Sequence, residues 1–293
     1  MSAYVKRSLT PSFGLEISGI DLSEAITDDV FSKLRQDFAE SGVLLIRNQG
    51  HISPLDQVEF SKRFGPLEEH VLTQFLLPGH PEIFVVSNIT ENGRYIGAHG
   101  GAKEYHSDLA YLKEPSLGSV FRCLECPEEG GETAFVSMAA AYDALPKRLQ
   151  LMFDELDAVY DYVWSYDRRM ASIRGPLSEI QRAKTPPIVH PAVRAHPETG
   201  RKALFLSDIW VRYFVGMNEA DSQDLLAEVM EIAKKPEAEY QHVWQPGDIV
   251  MWDNRSTMHR ACPFDEENTR RLMHRTTVKG DKPLRSLFGH LED

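Results

Sequence analysis

Apolar residues recur at helical spacing in several stretches of the chain. Val30, Phe31, Leu34 and Phe38 stand one to four positions apart on one helical face, with Thr27 or Asp28 able to cap the run and Gly42 to stop it. Ser53-Pro54 reads as a second helix start, because proline at the first helical position has no N–H to leave unpaired. Val58, Phe60 and Phe64 follow before Gly65. Residues 139–156 are helical in composition, with Pro146 restarting the run. Leu225, Leu226, Val229 and Met230 predict a further helix over 218–234. Short apolar runs bounded by turn residues predict strands at 43–46, 83–86, 188–189, 204–206, 249–252 and 271–278. Between residues 105 and 136, Pro115, Pro127 and Gly130-Gly131 separate further short strands. Strands dominate the middle and end, and helices fill the first third and the gaps. This pattern predicts a mainly β fold with flanking helices, a β-sandwich or jelly roll, as one domain over 1–293. Residues 167–187 are polar and end in Pro186-Pro187, and are expected to form a mobile loop or lid.

Composition narrows the partners. The 293 residues carry 32 Lys+Arg against 44 Asp+Glu, a formal charge of −12. So acidic a surface argues against nucleic acid or an anionic membrane as the main partner, without excluding a local basic pocket. No run approaches the roughly 20 apolar residues of a membrane span, and no apolar segment follows the first charges as in a secretion signal. Cys123, Cys126 and Cys262 make an odd count without framework spacing, so reduced thiols and a cytoplasmic setting are expected. Cys123-x-x-Cys126 lacks the following helix of a redox motif and the second pair of a zinc knuckle, and reads as ordinary thiols. The eleven histidines are the more informative count, since histidine is the usual metal ligand.

His106-Ser107-Asp108 supplies an imidazole and a carboxylate at positions that share a face if the segment is a strand. These are two corners of a metal site, and His259, just past the strand predicted at 249–252, is the best candidate for the third. Two histidines and one carboxylate with other positions open is the arrangement of non-haem Fe(II) oxygenases. A hairpin through 263–268 would return residues 271–278 beside His259. There Arg271, Met273, Arg275 and Thr277 share one face, and His274 the other. Two inward arginines about 13 Å apart could hold two different anions. A metal-holding jelly roll without turnover is an alternative reading. A zinc hydrolase is another, although no H-E-x-x-H helix motif is present.

Taken with Gly130-Gly131-Glu132-Thr133, Trp252-Asp253-Asn254-Arg255 and Arg271-Leu272-Met273-His274-Arg275, these residues resemble the taurine/2,4-D dioxygenase family of Fe(II)- and 2-oxoglutarate-dependent oxygenases. The resemblance runs from Gly14 to Pro283 and implies a double-stranded β-helix. It implies that His106, Asp108 and His259 bind Fe(II), and that Thr133 and Arg271 hold the distal carboxylate of 2-oxoglutarate. Arg275 and His70 would contact the substrate, with Leu109 beside them and Tyr166 and Trp210 as aromatic walls. O₂ would be the second co-substrate, with succinate and CO₂ released. Thr73 and Ala102 depart from the taurine branch, and Trp210 is bulkier than its usual Phe, which argues against taurine itself but not against an acidic substrate. Tyr166 and Trp210 favour an apolar or aromatic body, as in an aryloxyalkanoate-like carboxylate or sulfonate. An amino acid or natural-product intermediate is the alternative substrate. The family also implies a homo-oligomer, dimer or tetramer. His190, His196 and His290 have no partner pattern and read as structural or surface residues. His274 reads as packing, and Trp244 and Trp252 as core.

Overall fold

Val43-Leu44-Leu45-Ile46 has no polar position, and the strand it forms is buried on both faces. It lies inside an eight-stranded sheet ordered Val5–Ser8, Leu15–Ser18, Val43–Ile46, Ile249–Asp253, Gly118–Glu125, Leu272–Val278, His80–Ser87, Leu76–Leu77. All neighbours are antiparallel except Leu15–Ser18 with Val43–Ile46. The structure, a computed structural model, describes residues 4–70, 72–235 and 238–285.

Alternation along these strands divides the core in two. Leu44, Ile46, Val120, Ile249, Met251 and Val278 face the helices of the first third. Val43, Leu45, Phe121, Val250, Trp252 and Met273 face the other way and meet Phe135 and Trp244. Phe135 belongs to a three-stranded sheet ordered Glu239–His242, Thr133–Ser137, Thr257–Ala261. The chain therefore packs a large sheet between helices on one side and a smaller sheet on the other.

The helix Asp28–Ser41 starts where the Thr27 side chain accepts from the Val30 N–H, and ends at Gly42 in the left-handed region at φ 73°. A Cβ at Gly42 would also meet Thr257 Cγ2 at 2.8 Å, so glycine is required there twice over. Ser53 and Asp56 form a capping box for the helix Pro54–Lys62. The rings of Phe31, Phe38 and Phe60 stand edge-on to Phe64 at 4.9, 5.4 and 5.6 Å. Full burial of Leu34 or Phe38 contributes about 1.5–3 kcal/mol each.

A third core joins the helices Met138–Ala144, Lys147–Glu155 and Glu219–Ala233 to the sheet Ile188–Pro191, Asp157–Tyr160, Val211–Phe214. The expectation of a loop at 167–187 is corrected here. The segment continues the helix Tyr162–Arg169 into the short helices Ala171–Arg174 and Glu179–Lys184. Asp161 caps the first, accepting from the Trp164 N–H at 2.9 Å, and Ser178 and Gln181 form a capping box on the third. Arg182 bridges back to Asp167 with two bonds of 2.9 and 2.7 Å. The polar composition is that of small, solvated helices tied by caps and charges. Among the described residues no helix is long and apolar enough to cross a membrane.

Candidate active site

His259 sits on the strand Thr257–Ala261, opposite Phe135 of Thr133–Ser137. Its free backbone edge is taken by His106: the His106 N–H donates to the His259 carbonyl at 3.0 Å and the His259 N–H returns the bond at 2.9 Å. His106 is thus a single-residue extension of the small sheet, outside any named strand. The expected strand through His106 and Asp108 is not formed, because the chain turns at Asp108 and Leu109 adopts φ 56°. Convergence of the two side chains comes from that turn and not from strand alternation. The turn is braced by a closed ring of bonds. The Asp108 N–H donates to Asn254 Oδ1 (3.1 Å), Asn254 Nδ2 to Ser116 Oγ (2.8 Å), and Ser116 Oγ to the Asp108 carbonyl (2.9 Å).

The ligand atoms of His106, Asp108 and His259 lie within 4.8 Å of one another, the only such group of three among the described residues. His106 Nε2 is 4.0 Å from Asp108 Oδ1, and His259 Nε2 is 3.9 Å from Asp108 Oδ2. His106 Nδ1 lies 3.0 Å from the Glu104 carbonyl, which fixes the ring and leaves Nε2 for a metal. Burial pushes both imidazoles down, His259 to about 3, so they are neutral at physiological pH. Burial would push Asp108 up, but Arg275 and the two histidines outweigh it and hold the carboxyl below its ordinary range. Ser119 Oγ adds a bond to Asp108 Oδ2 at 2.9 Å. Neutral imidazoles and an ionised carboxylate are the states that bind a divalent metal.

The histidines open onto a cavity of about 270 Å³ that also contains Thr133, Arg271 and Arg275. Arg271 is 8% exposed, and no carboxylate among the described residues forms an ion pair with it. Its guanidinium lies 5.6 Å over the Phe121 ring, and its Nε has no partner. Burial pulls it down to about 10, still charged at neutral pH. A buried cation without an anion is costly unless a ligand supplies the charge, so this end of the cavity fits a carboxylate. The strand Leu272–Val278 shifts register against Gly118–Glu125 between Leu272 and Met273, yet Arg271 and Arg275 both reach the cavity. Arg275 Nη1 donates to Asp108 Oδ1 at 3.1 Å.

A second cavity of about 450 Å³ shares His70, Leu72, Phe84 and Arg275 with the first. His70 stacks on Phe84 at 4.0 Å, and burial, with Arg275 nearby, pulls it down to about 4. Leu109 lines this cavity. Tyr166 and Trp210 line neither one. The Tyr166 hydroxyl donates to the Gly175 carbonyl at 3.1 Å, and Trp210 stands behind Tyr111 (4.8 Å) and Tyr162 (5.7 Å). Tyr111 and Tyr162 line the second cavity instead, together with Leu177 from the loop before the helix Glu179–Lys184 and Lys184 from that helix. Tyr162 lies one helical turn before Tyr166 on the same helix. Tyr111 was legible only as the third residue after Asp108.

Other residues singled out from the sequence have structural surroundings. His196 Nε2 meets Asp253 Oδ2 at 3.0 Å, and Arg255 clasps the same carboxylate with bonds of 2.9 and 2.6 Å. His190 Nε2 lies 2.9 Å from the Leu112 carbonyl. His274 is buried on the far face of its strand, and Trp244 and Trp252 are core residues. The three cysteines are free thiols that burial pushes up, away from the reactive thiolate. His290 lies outside the described residues.

Comparison with known proteins gives consistent matches. A family model described as taurine catabolism dioxygenase TauD, TfdA family matches residues 6–277. The chain is 33% identical over 286 residues to the alpha-ketoglutarate-dependent 2,4-dichlorophenoxyacetate dioxygenase of Cupriavidus pinatubonensis, covering 94% of this chain and 97% of that protein. It is 32% identical over 281 residues to an alkylsulfatase of Acinetobacter baylyi, covering 94% and 84% respectively. A crystal structure of AAD-2 in complex with Mn(II) and N-oxalylglycine superposes with a TM-score of 0.83 at 28% identity, over 96% of this chain and 98% of that one.

Proposed function

Since the chain belongs to the taurine catabolism dioxygenase TauD, TfdA family, we propose that it is an Fe(II)- and 2-oxoglutarate-dependent dioxygenase that hydroxylates a small organic acid and gives succinate and CO₂. The observation that carries the reading is the pairing of the His106, Asp108, His259 cluster with a buried, unpaired Arg271 in one cavity. N-oxalylglycine is 2-oxoglutrate with one CH₂ replaced by NH, so the AAD-2 complex supports the same co-substrate here.

The donor set fits Fe(II), and His106 Nε2, His259 Nε2 and a carboxylate oxygen of Asp108 are the atoms that would hold it. With 2-oxoglutarate and O₂, that metal supplies the oxidising power to replace a C–H hydrogen by hydroxyl. The chain's own residues bind and orient. Arg271 and Thr133 take the distal carboxylate of the co-substrate. Arg275 and His70, where the two cavities join, meet the acid group of the substrate, and His70 serves there as a neutral donor or acceptor. Leu72, Phe84, Leu109, Tyr111 and Tyr162 surround the rest of it and exclude water. Walls of that kind favour an apolar or aromatic body, as in an aryloxyalkanoate or a larger sulfonate. Tyr166 and Trp210 act from behind, by supporting Tyr162 and Tyr111.

The two facing sheets support reading the core as a double-stranded β-helix within one domain over 1–293. The helices between 162 and 184 act as the lid of the substrate cavity. We place the enzyme in the cytoplasm as a homodimer or homotetramer.

Succinate release tests the function. Purified protein with Fe(II), 2-oxoglutarate and O₂ is screened against aryloxyalkanoates, alkyl sulfates, sulfonates and amino acids. Substrate-dependent succinate is expected from at least one anion with an apolar body. Asp108→Ala and His106→Ala should lower turnover by about a thousandfold or more. Silence across the panel, or full activity in those variants, rejects the reading.

A further inference from the structure

Thr133 is buried at the inner end of the first cavity, and its hydroxyl is not free to turn. The indole Nε1–H of Trp244 donates to Thr133 Oγ1 at 3.0 Å. Indole is a donor only, whereas a threonine hydroxyl has one proton and two lone pairs. Once Trp244 occupies a lone pair, the hydroxyl proton must seek a different acceptor. Among the described residues no acceptor takes that proton, and the group opens on the same cavity as the unpaired Arg271 guanidinium.

Trp244 is itself held firmly. His242 stands edge-on to it at 4.4 Å, and His242 Nε2 is fixed 3.1 Å from Asp248 Oδ2. On the other side Trp244 meets Phe121 edge-to-face at 5.5 Å, and Arg271 lies over that Phe121 ring. Phe121 therefore links the tryptophan to the arginine, as the N–H···O bond links it to the threonine. Trp244 therefore stands behind this end of the cavity, bonded to Thr133 and packed on the ring over which Arg271 lies.

From this we infer that Trp244 is a positioning residue for the co-substrate: by donating to Thr133 Oγ1 it orients the Thr133 hydroxyl proton toward the carboxylate held by Arg271. The inference rests on reading the Thr133–Arg271 end as the 2-oxoglutarate site. A core tryptophan that merely satisfies its N–H on the nearest hydroxyl makes a different prediction, since its loss would lower stability without selecting the co-substrate.

The test is calorimetric binding of 2-oxoglutarate to Mn(II)-loaded protein, with steady-state kinetics alongside. Trp244→Phe keeps an aromatic filler and deletes the N–H; Trp244→Met is the second filler should the first not fold. Binding of 2-oxoglutarate is expected to weaken about fivefold to tenfold. Its KM should rise by a similar factor, with kcat at saturating co-substrate changing less. Thr133→Val should weaken binding comparably, and Thr133→Ser should restore it. The double variant Trp244→Phe/Thr133→Val should bind no more weakly than Thr133→Val alone, because the tryptophan acts through the hydroxyl. Unchanged binding in Trp244→Phe, or losses that add in the double variant, overturn the inference while leaving the dioxygenase intact. Failure of the wild-type protein to bind 2-oxoglutarate removes the reading and the inference together.

Discussion

The two ends of the joined cavity are built on different principles. At the inner end the polar groups stand on or beside sheet strands: His259 on Thr257–Ala261, Thr133 on Thr133–Ser137, and Arg271 and Arg275 at the start and middle of Leu272–Val278. His259, Thr133 and Arg275 sit in paired strands, Arg271 is held through its backbone by Asn88 and Ser87, and Trp244 stands behind Thr133. At the outer end, Tyr162, Gln181 and Lys184 come from short helices, and Leu177 from the connection between two of them, tied by caps and by the Arg182–Asp167 pair at the surface. Exposed ion pairs of this kind are worth little, about 0–1 kcal/mol. The inner end is therefore preorganised for chemistry common to many substrates, and the outer end can vary in sequence without disturbing it.

The largest effect expected from this contrast is at Arg271. Replacing it with Gln should raise the KM for 2-oxoglutarate by about a hundredfold, because a buried charge-assisted pair is lost. A change below about threefold would remove Arg271 from the co-substrate site and break the comparison at its inner end. At the outer end, Tyr162→Ala should raise the KM for the organic acid roughly tenfold and leave that for 2-oxoglutarate unchanged. Tyr166→Phe, which deletes only a bond to the Gly175 carbonyl, should change either KM by less than about twofold. The reverse ranking of the two tyrosines would show that the wall lies one turn further along the helix.

A separate effect, on stability and not on binding, is expected beside the outer end. His190 is buried against Tyr160 and Phe205, and burial lowers it to about 4. An unfolded histidine takes a proton near pH 6.5, so between roughly pH 6.5 and 4 the unfolded chain binds more protons. Stability from this group is complete above that window and falls as pH drops through it, by on the order of 3 kcal/mol at the acid end. Melting temperature should fall between pH 7 and 5, and His190→Gln should flatten the slope. An unaltered slope in that variant would assign the acid sensitivity to other groups.

Much of the inner end was legible because strands and short motifs leave little freedom. The turn Gln245–Asp248 and the apolar run after it fixed the strand leading to His259, and Arg271 and Arg275 shared a face by period-two reasoning. The reason given for His106 and Asp108 was wrong even though their convergence was right. A one-residue bridge followed by a turn at positive φ cannot be told from a strand by composition. Trp244 was legible only as core, since nothing in a sequence shows which hydroxyl an indole N–H will meet. The segment at 167–187 read as loop because its helices are shorter than a hydrophobic period can reveal, and their caps, Ser178 with Gln181, were the missed signal. The family resemblance gave the aromatic wall as Tyr166 and Trp210. Tyr111, in the turn after Asp108, and Tyr162, one turn earlier on the helix than Tyr166, line the second cavity.

The mutual backbone bonds between His106 and His259 carry a consequence for biogenesis. The cluster of His106, Asp108 and His259 joins the middle of the chain to one of its last described strands, and Arg271 and Arg275 lie just before and on the strand after that. A nascent chain that has emerged only through the helix Glu219–Ala233 has neither His259 nor its bridge to His106, and cannot hold the ion in its final geometry. The three ligand side chains can come together only once residue 259 has been made.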